Sequence, residues 1–476
     1  MLKALPANYL RSNDAVKTRR GYLSATGPRF LFEKYKRKTQ YMKQAYRAEI
    51  LDFINDPVLY GLDAMRHFSD GLLVIEAGKV VAVGDAATLL PLLEVNTPIH
   101  DYRPQIIMPG LIDTHIHYPQ CEVIASYGTQ LLDWLNTYTF PAEGKFSDFK
   151  YAQSVAKFFI DELHRNGTTT AMVFASVHPH SVDALCEAAG DMRLIVGKVL
   201  MDRNAPHSLC DSAASTYDDN KTLIKRWHGQ KRLSYALTPR FAPTSTDAQL
   251  QAVQALHHEF PDVHLQTHVA ENKEEVAWVA ELFPWSRSYL DVYDHYDLLF
   301  ERALFAHCLY LNDTDRARLG ESGAAIAFCP SSNLFLGSGL FDLQAAQKHN
   351  IQVGIASDVG GGTSFSILQN LSDAYKVLQL KQQAMPARQG LYLATLGGAR
   401  ALKLDTQIGN FEVGKEADFI VIDPDATPLT AQRMAHATNI DERLFALMML
   451  GDDRHISATY ILGEAIYTKP FCTLQT

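Results

Sequence analysis

Two histidines two residues apart, His115 and His117, close an apolar run that reads Met108-Pro109-Gly110-Leu111-Ile112-Asp113-Thr114-His115-Ile116-His117. In an extended strand, side chains two apart project to the same face, so the two imidazoles can aim at one point and supply half of a metal site. The pair alone has a second reading, because histidines also sit satisfied in cores or exposed on surfaces. Three further segments carry groups of matching chemistry: Gln266-Thr267-His268-Val269-Ala270-Glu271-Asn272, Phe305-Ala306-His307-Cys308, and Ile355-Ala356-Ser357-Asp358. Imidazole nitrogens and a carboxylate are the donors of a divalent-cation site able to activate water. They form one pocket only if the segments that carry them run parallel and open to a common mouth.

The hydrophobic pattern meets that demand. From about Ile106 to Leu402 strand-like and helix-like runs alternate. After the strand carrying His115, strands are predicted at 168–176, 193–201, 232–242, 264–270, 303–310, 324–330 and 352–358, with helices such as 151–165 and 248–259 between them. Strands separated by crossovers, in a span near the roughly 250 residues typical of the fold, predict an α/β protein built on a (β/α)8 TIM-like barrel. His115, His117, His268, His307 and Asp358 then all fall at C-terminal strand ends, where such barrels place their chemistry.

Short strands recur outside this span, at 71–76 and 79–84 around Ala77-Gly78, at 416–422, and at 458–467 broken near Gly463. Neither end of the chain supplies enough strands to bury a face. The N- and C-terminal segments are therefore predicted to combine into one small composite β-sandwich domain. The expected organisation is a basic, poorly ordered extension at 1–44, the composite domain from 45–104 plus 403–476, and the catalytic barrel at 105–402. The extension reads as a solvated segment rather than an RNA- or membrane-binding arm, and Met42 is a candidate natural start.

Composition narrows the classes. The chain has 476 residues, 47% of them hydrophobic, enough for a large core. With 44 basic and 53 acidic side chains the net charge is −9, which disfavours nucleic-acid phosphates as partners. No run approaches the roughly 20 apolar residues of a membrane helix. The 6 cysteines are scattered without a Cys-X-X-Cys pair, which suits a reducing compartment, and a cytoplasmic location is expected.

The set Pro109-Gly110-Leu111-Ile112-Asp113-Thr114-His115-Ile116-His117, His268, His307 and Asp358 resembles the amidohydrolase superfamily, metal-dependent hydrolases on a (β/α)8 barrel. Within it, His117-Tyr118-Pro119-Gln120, Leu132-Asp133-Trp134-Leu135-Asn136, Thr238-Pro239-Arg240-Phe241-Ala242-Pro243-Thr244, Thr267-His268-Val269-Ala270-Glu271-Asn272 and Ser357-Asp358-Val359 are similar to the guanine deaminase family. The resemblance covers about Asp70 to Tyr467, and the extension at 1–44 departs from it.

It implies the metal ligands His115, His117, His268 and Asp358 around one Zn²⁺ per subunit, although iron or another divalent ion also suits such donors. Binuclear relatives bridge two metals with a carboxylated lysine at the end of the fourth barrel strand. Here that strand ends Thr238-Pro239-Arg240, and an arginine stays protonated and offers no lone pair. Lys198 is a conceivable substitute but lies early on its strand.

By the same resemblance, Glu271 is the general acid/base, Asp358 accepts a proton from water, and His307 orients that water. Gln120, Arg240, Phe241 and Trp134 recognise the substrate: the amide and guanidinium read a purine edge, and the aromatics pack against the ring. A homodimer acting on guanine is implied. The rivals are a deaminase or chlorohydrolase for another aminated heterocycle, such as an s-triazine, a pterin or 8-oxoguanine, and a catalytically silent barrel. Three motifs are given structural readings: His257-His258-Glu259 as an exposed helix segment, Gly360-Gly361-Gly362 as a flexible turn, and His178-Pro179-His180 as a loop.

Overall fold

The computed structural model describes residues 43–128 and 130–470. The readings of a basic extension and of Met42 as a start lie outside the described residues, apart from the extension's last two positions, as does one of the 6 cysteines, Cys472.

Both ends of the chain build one hydrogen-bonded sheet. Its strands are β1 (Gln44–Phe53), β2 (Met65–Glu76), β3 (Lys79–Asp85) and β4 (Ile99–Pro109), joined later by three C-terminal strands. The barrel follows: β5 (Leu111–His117), β6 (Thr168–Phe174), β7 (Arg193–Gly197), the two-residue β8 (Val199–Leu200), β9 (Leu233–Pro239), β10 (His264–Val269), β11 (Ala303–His307), β12 (Ala325–Phe328) and β13 (Gln352–Ile355). The C-terminal strands are β14 (Phe419–Ile422), β15 (Ile456–Ile461) and β16 (Glu464–Thr468).

The first sheet has the order β16-β15-β14-β4-β1-β2-β3, with β4 antiparallel to β14 and parallel to β1. Alternation along β2 explains its two buried faces. Leu73 and Ile75 join Tyr46, Phe419 and Tyr460 on one side, while Leu72 and Val74 pack on the other with Ala45 and Ala86. Pairing in β4 continues to Pro109, so the chain leaves this sheet only at Gly110, beyond the break expected at residue 104. Gly110 is required there, because a Cβ would lie 2.1 Å from Thr169 Oγ1.

The second sheet runs β5-β6-β7-β9-β10-β11-β12-β13, all parallel, with β8 attached to β9. The seam between β13 and β5 is bridged by Asp358 N to His115 O at 2.9 Å and His117 N to Val359 O at 3.0 Å. This is the predicted (β/α)8 architecture. Its helices form where apolar residues recur at helical spacing. In Phe149–Arg165 the buried residues are Ala152, Ala156, Phe159, Ile160 and Leu163, and Asp148 caps the first turn by accepting from Lys150 N.

The C-terminal segment also returns to the barrel. Helix Ile440–Leu450 buries Leu444, Leu447 and Met448 in the core that holds Leu371 and Leu378 of helix Ile367–Leu380, because one helix cannot cover its own apolar stripe. His178 lies in a loop as expected, whereas Pro179 and His180 already belong to helix Pro179–Ala188, since Pro179 suits the first helical turn. His258 is exposed on helix Asp247–Glu259, as expected, while His257 stacks on Phe300.

Candidate metal and active site

Each chemically capable side chain arrives at one mouth of the barrel. His117 ends β5, His268 stands one residue before the end of β10, His307 ends β11, and Glu271 and Asp358 follow β10 and β13 in the connecting turns. Asp358 and His307 hold left-handed backbone, with φ of 50° and 68°. Non-glycine residues rarely adopt this conformation, and it persists where surrounding contacts impose it. At Asp358 the seam bond to His115 O is one such contact. The Gly360-Gly361-Gly362 segment is packed rather than loose: a Cβ on Gly362 would lie 1.8 Å from Ser357 O.

The Nε2 atom of His117 lies 3.2 Å from His115 Nε2 and 3.1 Å from His268 Nε2. Asp358 Oδ1 lies 3.3 Å from His115 Nε2 and 3.4 Å from His117 Nε2. A tetrahedron with metal–ligand bonds of about 2.0–2.1 Å has edges of roughly 3.3–3.4 Å, so these separations fit a zinc-sized ion. The tautomer of His268 fits as well. Its Nδ1 lies 2.6 Å from Arg240 O, which can only accept, so the proton sits on Nδ1 and Nε2 keeps its lone pair. Burial holds His117 down at about 3 and His268 well below the usual range, leaving both neutral at neutral pH. Burial opposes ionisation of Asp358, but its bonds to His115 and His117 hold the carboxyl well below its ordinary range.

Cys329 completes another close grouping with His115, His307 and Asp358. Burial holds its thiol far above the usual range, so it is a protonated and poor donor. Lys198 is buried elsewhere, with Nζ 2.5 Å from Asp211.

Beside the donor set, His307 Nε2 stands 3.5 Å from Glu271 Oε2 and 3.7 Å from Asp358 Oδ2, with no hydrogen-bond partner. Its Nδ1 faces Asn333 Oδ1 at 2.9 Å and so carries a proton. Glu271 is pushed up to about 8 by burial and then by the Asp358 charge, and Ser338 Oγ donates to its Oε1 at 3.1 Å. Glu275 holds the Glu271 backbone by accepting from its N–H at 2.8 Å.

His117, His268, Glu271 and Asp358 line a pocket whose walls also include Gln120, Trp134, Arg240 and Phe241. All four expected recognition residues are therefore together. Gln120 is partly engaged by the protein, donating from Nε2 to Glu143 at 3.2 Å and accepting at Oε1 from Gly360 N at 3.3 Å. Arg240 is 2% exposed and paired with Glu143 through Nη1.

Sequence reasoning missed Glu143, Ser338, Asn333 and Asp113. A carboxylate inside the apolar run before His115 was a usable signal for Asp113. It accepts from Ser357 N at 3.0 Å and from Ser357 Oγ, tying β5 to the turn carrying Asp358. Nothing in the spacing points to Glu143, Ser338 or Asn333.

The amidohydrolase family profile matches residues 106–466. Guanine deaminase of Escherichia coli (strain K12) is 51% identical over 408 residues, covering 85% of this chain and 93% of that protein. The solved structure of the E. coli guanine deaminase has a TM-score of 0.88 at 49% identity, covering 90% of this chain and 100% of the other. The crystal structure of guanine deaminase from C. acetobutylicum with bound guanine in its active site has a TM-score of 0.80 at 27% identity, covering 89% and 100%. Barrel, donor set and likeness along most of its length agree: the chain belongs to the amidohydrolase family, on the branch of the guanine deaminases.

Proposed function

We propose that this chain is a zinc-dependent guanine aminohydrolase, converting guanine and water to xanthine and ammonia. The observation that carries the reading is the meeting of Glu271, His307 and Asp358 beside the three-histidine donor set, under a cavity walled by Arg240 and Gln120. His115, His117, His268 and Asp358 would hold one ion, and the absence of a lysine from the end of β9 supports a single metal. Zn²⁺ bound there would lower the pKa of water from 15.7 to about 7 and so make hydroxide available at neutral pH.

The chain's own groups do the rest. Asp358 takes a proton from the attacking water, and His307, its Nδ1 proton held by Asn333, keeps Nε2 free to orient that water. Glu271 delivers protons to the ring nitrogen and to the exocyclic amine. After Glu271 protonates the ring nitrogen, the water oxygen bonds to C2, Glu271 takes the second proton from that oxygen and passes it to the amine, the C2–N bond breaks and the nitrogen leaves as ammonia. The proton held by Asp358 then returns to Glu271, so both protons of water are spent. Arg240 donates to the ring carbonyl oxygen, the remaining donor and acceptor of the Gln120 amide meet the ring edge, and Phe241 and Trp134 pack against its faces.

We place this activity in purine catabolism in the cytoplasm, which the unpaired Cys121, Cys186, Cys210, Cys308 and Cys329 support. No helix among the described residues is long and apolar enough to cross a membrane. We divide the described residues into the composite domain, 43–109 plus 403–470, and the barrel, 110–402, moving the boundary expected at 104 to the point where β4 leaves the sheet, with Ile440–Leu450 docked on the barrel. A homodimer completes the reading, and the exposed Val58, Leu59, Tyr60 and Leu62 are consistent with a covered surface. Sedimentation at micromolar concentration tests that state.

The decisive assay incubates metal-analysed protein with guanine, an s-triazine, a pterin and 8-oxoguanine. Loss of guanine with equimolar ammonia is expected. Turnover of another ring with none of guanine reassigns the substrate, and a stably folded, metal-free, inactive protein identifies a silent barrel.

A further inference from the structure

Glu143 is a buried carboxylate that the reaction scheme above leaves without a role. It lies in helix Phe140–Gly144, is 1% exposed, and spends its bonding capacity on two cavity-wall residues from different parts of the barrel. Both its oxygens lie 2.9 Å from one nitrogen, Arg240 Nη1, and Oε1 also accepts from Gln120 Nε2 at 3.2 Å. A guanidinium has five N–H donors in a rigid plane. Glu143 engages Nη1 alone and leaves the donors on Nε and Nη2. The Phe140 ring, 5.5 Å from Arg240 Cζ, packs on the same group. With the plane held by a carboxylate and an aromatic face, the free donors have one direction in which to point.

We infer that Glu143 is a specificity-determining positioning residue, which acts through Arg240 and Gln120 to select an aminated heterocycle bearing a ring carbonyl over one bearing an amine there. This rests on the reading of guanine as substrate. The physical basis is that both groups it holds are buried. If Glu143 is removed, the guanidinium keeps its charge but loses its orientation and its counter-ion, and the amide of Gln120 loses the acceptor that holds its Nε2 end, keeping only Gly360 N at Oε1. A carbonyl oxygen benefits from fixed donors, whereas an amino group at the same ring position has no use for them. Glu143 does not touch the reacting carbon or the metal donors, so the chemical step should be nearly indifferent to it.

The test compares wild type, Glu143→Gln, Arg240→Met and the double variant, each checked for metal content and melting temperature. The readouts are kcat and KM for guanine and Ki for 2,6-diaminopurine, which replaces the carbonyl with an amine. Glu143→Gln should raise the guanine KM by at least about tenfold, the scale of a lost hydrogen bond to a charged group. Metal content should be unchanged, and kcat and the diaminopurine Ki should each move by less than about threefold. In the Arg240→Met background the same change should add little, because its effect passes through the guanidinium. An unchanged guanine KM, equal weakening of both ligands, or additive losses in the cycle overturn the inference. If Glu143→Gln alone does not fold, the double variant removes both charges together, and wild-type preference for guanine in it is equally fatal. Failure of wild type to deaminate guanine is seen before any variant is made and overturns the substrate reading instead.

Discussion

At the scale of single residues, the site depends on lone pairs that are kept bare and carboxylates that are kept apart in role. His268 is forced to present Nε2 by the Arg240 carbonyl, so one residue of the β9 turn both orients a proposed metal donor and carries a proposed recognition group. Asp358 is held ionised among imidazoles, while Glu271, a few ångströms away, is pushed up to about 8. Two carboxyls with opposite tendencies are suited to base and acid work in one reaction. Glu271→Gln should leave metal content unchanged and lower kcat by at least the ~10²–10⁴ attributed to acid–base catalysis, read by ammonia release alongside metal analysis. Near-normal turnover would remove it from the reaction. His115→Ala should lose both metal and activity, and full metal occupancy in that variant would mean the donor set is misplaced.

At the scale of elements, the barrel closes where the donors sit. The last and first strands meet through backbone bonds at His115, His117, Asp358 and Val359, so ligand geometry and strand pairing are one structure. Asp113 secures it by accepting from His115 N at 3.2 Å and from Ser357. Asp113→Ala strands those donors in a dry interior. It should cost about 1–3 kcal/mol of stability, seen as a lower urea midpoint, and weaken metal binding by roughly 10–100-fold in a chelator competition. A variant that melts lower but binds metal as tightly as wild type would show that the seam supports the fold without aligning the ligands. The helix after β10 follows the same logic: Glu275 completes a capping box with Asn272 and also holds the Glu271 backbone, so a helix start fixes the carboxylate proposed as acid and base.

At the scale of the whole molecule, the composite sheet is bound to the end of the barrel opposite the active site. Arg193 opens β7 and Arg232 immediately precedes β9; both bond to Glu416, and Arg232 also bonds to Asp418. Arg232→Met leaves the buried Asp418 without this partner and Glu416 with Arg193 alone, and should cost about 3–5 kcal/mol in a denaturant titration. The cluster also sets an acid limit. Burial alone would raise Glu416, yet the two arginines hold it below its ordinary 4.5, so its contribution is complete above that value and is lost as pH falls through the lower, folded one. Stability measured from pH 6 to pH 3 should therefore fall in the acid range, and less steeply in Arg232→Met. Equal slopes would place the acid sensitivity elsewhere.

Much of this was legible before any coordinates. The barrel could be read because strand and helix periodicities are local, and the meeting of His115, His117, His268, His307 and Asp358 because strand ends in such a fold share one mouth, while the choice of four of them as metal donors rests on the family resemblance. The composite domain followed from counting strands too few to bury a face. What the tertiary structure alone decided involves partners distant in sequence and unmarked by spacing. Glu143 reaches Arg240 across 97 positions, Ser338 reaches Glu271 across 67, and Arg232 meets Asp418 across 186. Helix Ile440–Leu450 returns to the barrel for the same reason. Local pattern reports which face of an element is apolar, but which buried charge neutralises which is settled only when packing excludes water and leaves each ion the partners within reach.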